Sequence, residues 1–122
     1  MTRAELLALA ERVEAATGPD RALDEEIDLI AYDLGWRAER KEVPFEAPRY
    51  TASIDAAASL VPEGDGFALI YNAAKVGIWV GKGKTPALAL LAACLFARAE
   101  EAAWDEREDT AALRARAEEA GE

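Results

Sequence analysis

Residues 67–81 read Phe67-Ala68-Leu69-Ile70-Tyr71-Asn72-Ala73-Ala74-Lys75-Val76-Gly77-Ile78-Trp79-Val80-Gly81. Phe67, Leu69 and Tyr71 alternate with Ala68, Ile70 and Asn72. Beyond Asn72-Ala73-Ala74-Lys75, Val76, Ile78 and Val80 alternate with Gly77, Trp79 and Gly81. A period of two in β-branched and aromatic residues predicts an antiparallel β-hairpin over about 66–81. Such a hairpin is marginal in water by itself, so it must pack on helices or gain a strand.

The flanking sequence supplies the helices. Thr85-Pro86 joins a capping hydroxyl to a proline at the first helical position. Leu88, Leu90, Leu91, Leu95 and Phe96 then leave almost no polar face, the mark of a buried helix. At the other end, Thr2 and Glu5 form a capping-box pattern ahead of Leu6, Leu9, Ala10 and Val13. Gly18-Pro19 stops that helix. Asp20 caps a second, with Leu23, Ile27, Ile30 and Leu34 on one stripe and Gly35 as its stop. The short link predicts an αα-hairpin. Residues 36–50 show no period, and Pro44 and Pro48 argue for an extended loop packed by Trp36, Phe45 and Tyr50. Residues 51–61 predict a short helix capped by Thr51 or Ser53, with Ile54, Ala57, Ala58 and Val61 inward. The expected fold is α+β, a small α/β/α-type sandwich. Its hairpin packs against the N-terminal αα-hairpin and the buried C-terminal helix. Residues 1–104 form the domain, and 105–122 form an acidic helical or disordered extension.

Composition narrows the function. The 122 residues hold one cysteine and no histidine. Histidine- or cysteine-based zinc sites and Ser-His-Asp or Cys-His catalysis are excluded by count. The lone Cys94 fits a reducing compartment. The N-terminal stretch has no cationic start before an apolar run, and 85–97 is too short to span a bilayer, so a cytoplasmic protein is expected. Net charge is −10, split into −6 over 1–34, +2 over 35–99 and −6 over 100–122. A chain so acidic repels nucleic-acid backbones, which argues against nonspecific binding to them. The acid keeps the protein soluble, or it forms a face for a basic partner.

Several residues invite a chemical reading. Gly81-Lys82-Gly83-Lys84-Thr85 follows a strand and precedes a helix, as a phosphate-binding loop does. Its spacing fails, because the first glycine of that motif would fall at Ile78. Lys82 and Lys84 remain candidates for a simple anion site at the helix start. Asp24, Glu25 and Asp28 line the second helix, where they read as a solvated acidic face, as a candidate partner-binding surface, or as part of a carboxylate metal site. Tyr50, Thr51, Ser53 and Asp55 have no base beside them in sequence, and read as a cap plus a packed tyrosine. Cys94, in an apolar helix, reads as an inert thiol. Trp79, flanked by glycines, is a candidate interface anchor. Glu101, Asp105 and Glu106 extend the acidic surface at the far end.

Three stretches carry a family resemblance: Ala15-Ala16-Thr17-Gly18-Pro19-Asp20-Arg21, Tyr50-Thr51-Ala52-Ser53-Ile54-Asp55-Ala56-Ala57 through Leu60-Val61-Pro62-Glu63-Gly64, and Thr85-Pro86-Ala87-Leu88-Ala89-Leu90. In this order the chain resembles the phage ABA sandwich domain family, small phage- and prophage-encoded proteins similar to the NinX-like proteins. The match covers roughly residues 4–99. The resemblance implies a layered α/β/α domain from a phage-derived gene and implies little about activity. The chain departs from the family in its terminal helix and in its acidic tail from Glu100 onward.

The sequence therefore leads to a non-enzymatic accessory protein with no cofactor. It is expected to bind a host or phage protein, such as a basic nucleic-acid-binding one, in the manner of an anti-CRISPR-like inhibitor. The alternatives are a self-associating scaffold of a phage-like particle, using Trp79 or the long helix, and a small-ligand or anion-binding module.

Overall fold

Each helix starts on a side-chain cap that the sequence marks. The structure is a computed structural model and describes residues 2–36, 47–70 and 73–102. Thr2 Oγ1 accepts from the Glu5 N–H at 3.2 Å and opens α1 (Arg3–Ala15). Asp20 Oδ1 accepts from Leu23 at 3.1 Å and opens α2 (Arg21–Asp33). Ser53 Oγ accepts from Ala56 at 3.2 Å and opens α3 (Ile54–Ala58), which decides between the two possible caps. Thr85 Oγ1 accepts from Leu88 at 3.2 Å and opens α4, helical from 86 to 102. Each cap satisfies a backbone donor that the first turn leaves unpaired. At the end of α2, Gly35 takes φ 74°, Trp36 N–H reaches Ala31 O at 2.8 Å, and Gly35 N–H reaches Tyr32 O at 3.2 Å. This is the paired 6→1 and 5→2 closure that a left-handed residue permits.

The predicted hairpin is a three-stranded meander, β1 (Phe67–Ile70), β2 (Ala73–Val76) and β3 (Trp79–Lys82), in the order β1-β2-β3. Ala73, Ala74 and Lys75, expected to separate two strands, instead begin the central strand. The reason is the turn chemistry at Gly77-Ile78, where Val76 pairs with Trp79 and Gly77 has φ 59°. Glycine at the first central position of a two-residue turn reverses the chain there without steric cost. The alternating stretch from Val76 to Gly81, read as one strand, is therefore split by this turn between β2 and β3.

The alternation then sorts the faces. Phe67, Leu69, Ala74, Val76, Trp79 and Gly81 share the inner face, and Ala68, Ile70, Ala73, Lys75, Val80 and Lys82 the outer one. Ala74, Val76 and Gly81 are buried, whereas the outer residues are exposed apart from the half-buried Ala73.

Beneath the inner face runs α4. Its residues 87–95 are all buried, Leu88, Leu90, Leu91 and Leu95 completely. Each such leucine contributes on the order of 1.5–3 kcal/mol on leaving water. The approach to the sheet depends on glycine. A Cβ on Gly81 would overlap Ala93 N and lie 2.5 Å from Ala89 O. Behind α4, the Cys94 thiol donates to Ala57 O at 3.6 Å, and Arg98 Nε donates to Leu60 O at 3.1 Å. One connected core includes Leu9 and Val13 of α1, Ile27 and Ala31 of α2, Ala57 and Leu60, and α4. The protein is thus α+β, a small sandwich in which α4 is the layer between the sheet and the other helices. No helix among the described residues is long and apolar enough to cross a membrane.

Two predicted stripes are redrawn. On α2, Leu34 is 39% exposed while Asp24 and Asp28 are fully buried, because the helix turns its carboxylates toward the 50–51 segment. On α3, Ile54 faces out and Leu60, just past the helix, packs inward. Expectations for 37–46, for Tyr71 and Asn72, and for Trp104, Asp105, Glu106 and the rest of the extension lie outside the described residues.

Candidate functional site

The residues that first invite chemistry are occupied by the fold. Asp24 Oδ1 accepts from both the N–H and the hydroxyl of Thr51, each at 2.8 Å, and its Oδ2 accepts from Arg21 at 3.0 Å. Asp28 accepts from the Tyr50 hydroxyl at 3.0 Å. The N–H of Asp20 donates to Thr51 Oγ1 at 2.8 Å. Thus the Tyr50-Thr51 pair ties the segment before α3 onto α2, and the alternatives of a helix cap or a catalytic hydroxyl at Thr51 give way to a buried clamp. Asp24 and Asp28 belong to no exposed acidic face. Glu25, beside them in sequence, is exposed. No buried side-chain nitrogen or oxygen among the described residues lacks a partner.

The loop before α4 is likewise built inward. Gly83 is buried, and a Cβ there would lie 2.6 Å from Ala89 N. Lys82 and Lys84 are exposed, and the Lys82 N–H donates to Glu14 Oε2 at 2.8 Å. The carboxylate that meets this segment is the protein's own Glu14, on the Lys82 N–H, and the α4 start is capped by Thr85.

Two nominated residues do meet. Trp79 and Glu101 line one cleft of about 270 Å³ between the β2–β3 turn and the distal part of α4, with Asp65, Gly77, Ile78, Ala97 and Glu100. Trp79 reaches it because the inner-face alternation points it at α4, where it is half buried against the core. Ala97, Glu100 and Glu101 are three and four residues apart and fall on one side of the helix. Asp65 enters from the turn before β1, its carboxylate standing over Gly77 with Oδ2 3.4 Å from where a Cβ would lie.

The charge of the cleft is acidic. Glu101 pairs with Arg98 at 3.1 Å, and Glu100 meets Arg3 only at 3.9 Å with both side chains partly exposed. Exposed pairs of this kind are worth about 0–1 kcal/mol, so they leave the carboxylates available to a competing cation. Asp65 has no ion pair among the described residues. Arg98 is held elsewhere too, 5.1 Å from the Trp36 ring centre and bonded to Leu60 O. The volume falls below the roughly 300–1,000 Å³ usual for small-molecule sites, which suits one side chain rather than a cofactor. Among the described residues no three carboxylate, cysteine or histidine groups are disposed to hold a metal ion.

Sequence reading missed Asp65 and Glu100. Glu100 carried a usable signal, its helical spacing from Ala97, once the helix is known to run past it. Asp65 carried none, because only the turn geometry brings it over Gly77. Comparison of the chain with family models, curated proteins and solved structures finds no match.

Proposed function

We propose that the chain is a non-enzymatic binding protein for a basic protein partner, whose lysine or arginine side chain enters the cleft at Trp79. The observation that carries this reading is the convergence of an aromatic ring with Asp65, Glu100 and Glu101 around a space the size of one side chain. An ammonium or guanidinium on an indole face gains about 0.5–2 kcal/mol, more where water is excluded. Added to weak exposed ion pairs, this sets orientation and specificity rather than the whole affinity. The remainder comes from long-range attraction between a −10 chain and a cationic surface.

A nucleic-acid-handling protein is the most concrete partner of that chemistry. The resemblance to phage proteins favours a host defence or nucleic-acid-handling complex, with the chain as its inhibitor in the manner of an anti-CRISPR protein.

The test is capture from a bacterial lysate by the full chain and by an Asp65→Asn, Glu101→Gln variant, whose changes leave the core intact. Recovery of a basic protein by the wild type alone, released by added salt, supports the reading. Equal recovery by both removes the cleft from it, and recovery of no basic protein removes the partner class.

A further inference from the structure

The two edges of the sheet have different fates. Across the Gly77-Ile78 turn, Val76 and Trp79 form the closing pair, so Val76 and Ala74 direct their backbone groups at β3. Ala73 and Lys75 therefore direct theirs at β1, where they pair with Ile70 and Ala68. The Gly77 N–H donates to Gly66 O at 3.2 Å, which continues the same parity past the strand. It follows that Phe67 and Leu69 turn their N–H and C=O groups out of the sheet on one edge, and Val80 and Lys82 on the other. On the β3 edge, α1 meets the strand and Glu14 takes the Lys82 N–H at 2.8 Å. On the β1 edge, no described residue takes the groups of Phe67 or Leu69.

β1 also lacks the devices that normally blunt an edge. Phe67-Ala68-Leu69-Ile70 holds no charge, no proline and no bulge against β2. Its side chains are open on both faces, with Phe67 47%, Leu69 39% and Ile70 63% exposed.

We infer that two copies of the chain pair antiparallel through β1, centred on Ala68, into one continuous sheet of both meanders. Strand donors and acceptors that no described residue takes are matched in full by another strand, and β1 is complementary to itself. With Ala68 on the two-fold axis, Phe67 of one copy faces Leu69 of the other, and each such pair exchanges both backbone hydrogen bonds. The axial residue is the smallest of the four. The contact strands are neutral in a chain of net charge −10, so this is a surface on which two copies meet without opposing like charges. Because the axis is normal to the sheet, both α4 layers lie on one side, and Phe67 and Leu69 of each copy fill the trough between them.

This pairing is independent of the cleft, and salt separates the two. Screening the mutual repulsion of two acidic copies strengthens the dimer, whereas it weakens capture of a basic partner. The experiment is sedimentation equilibrium on the full chain at low and high salt, with Leu69→Lys and with single cysteines at 68 or 70 under mild oxidation. The expected result is a reversible dimer, tighter in salt and weakened roughly tenfold or more by Leu69→Lys. Ala68→Cys should cross-link through Cα atoms about 4.5 Å apart, within the range a disulfide spans. Ile70→Cys should not, because its two copies lie roughly 13 Å apart at about 3.4 Å per residue. A monomer up to millimolar concentration, or a dimer that Leu69→Lys leaves intact and Ala68→Cys fails to cross-link, overturns the inference. The exposed position of Leu69 keeps its variant folded, and circular dichroism checks this.

Discussion

Thr51 gives both of its donors to one oxygen of Asp24, the N–H and the hydroxyl each at 2.8 Å, with both residues fully buried. The clamp holds the segment before α3 against α2 across 27 positions of sequence. Asp24→Ala strands the buried Thr51 N–H, leaves the Thr51 hydroxyl only its longer contact to Asp20 O at 3.3 Å, and removes the Arg21 contact. Unfolding free energy should fall by about 3 kcal/mol. Thr51→Val, which keeps the shape and loses the hydroxyl, should cost about 1–3 kcal/mol. Urea melts measure both, and a change near zero for Asp24→Ala would contradict the clamp.

The sheet meets α4 without room for a methyl group at Gly81. Gly81→Ala drives a Cβ into the helix backbone at Ala89 and Ala93, atoms that no rotamer change can move aside. A loss of about 1–3 kcal/mol or more is expected from overpacking of this kind. Gly66, with open space around it, is the control: Gly66→Ala should leave the melting temperature nearly unchanged.

Cys94 is silent by burial. Desolvation pushes its thiol up from 9.0 to about 12, against a smaller opposing pull from Arg98. A thiol with its folded value raised contributes stability that is whole below the unfolded value. That stability is lost as pH rises from about 9 through about 12, because the unfolded chain ionises first. Alkylation at pH 8 should therefore be slow in the native protein and rapid in urea. Fast native labelling would show that α4 opens locally.

Much of the fold was legible because it is written in local chemistry. Thr2, Asp20, Ser53 and Thr85 announce helix starts by side chains that only a helix turn satisfies, and Gly35 announces a stop. The long apolar run from Leu88 to Leu95 announces burial on every side. What escaped was set by partners distant in sequence. Nothing local says that Asp24 and Asp28 point inward, because their reason is Thr51 and Tyr50. The central strand was hidden because Ala73-Ala74-Lys75 has little strand preference and is held by its two neighbours. Of the cleft, Trp79 and Glu101 were nominated separately. Their meeting follows from the β2–β3 turn and the register of α4, which no single stretch encodes.

The cleft should also show a size preference. Ala97 forms part of its wall and is nearly buried, so Ala97→Leu fills space that a cationic side chain would use. Affinity for a basic peptide should fall several-fold; because Ala97 belongs to the buried core, the larger side chain should also cost about 1–3 kcal/mol of stability, so the titration is run well below the variant's melting temperature. Isothermal titration with wild type and variant compares them directly, and equal affinities would move the contact off this wall.

The central claim is that Trp79 and its carboxylates receive a cationic side chain, and two-dimensional amide NMR with an arginine-rich peptide tests it most directly. The expected result is joint movement of the Trp79 indole N–H and the Gly77, Glu100 and Glu101 amides, reversed by salt and absent in Asp65→Asn, Glu101→Gln. Shifts confined to the acidic surfaces of α1 and α2, or the same shifts in the variant, would contradict it.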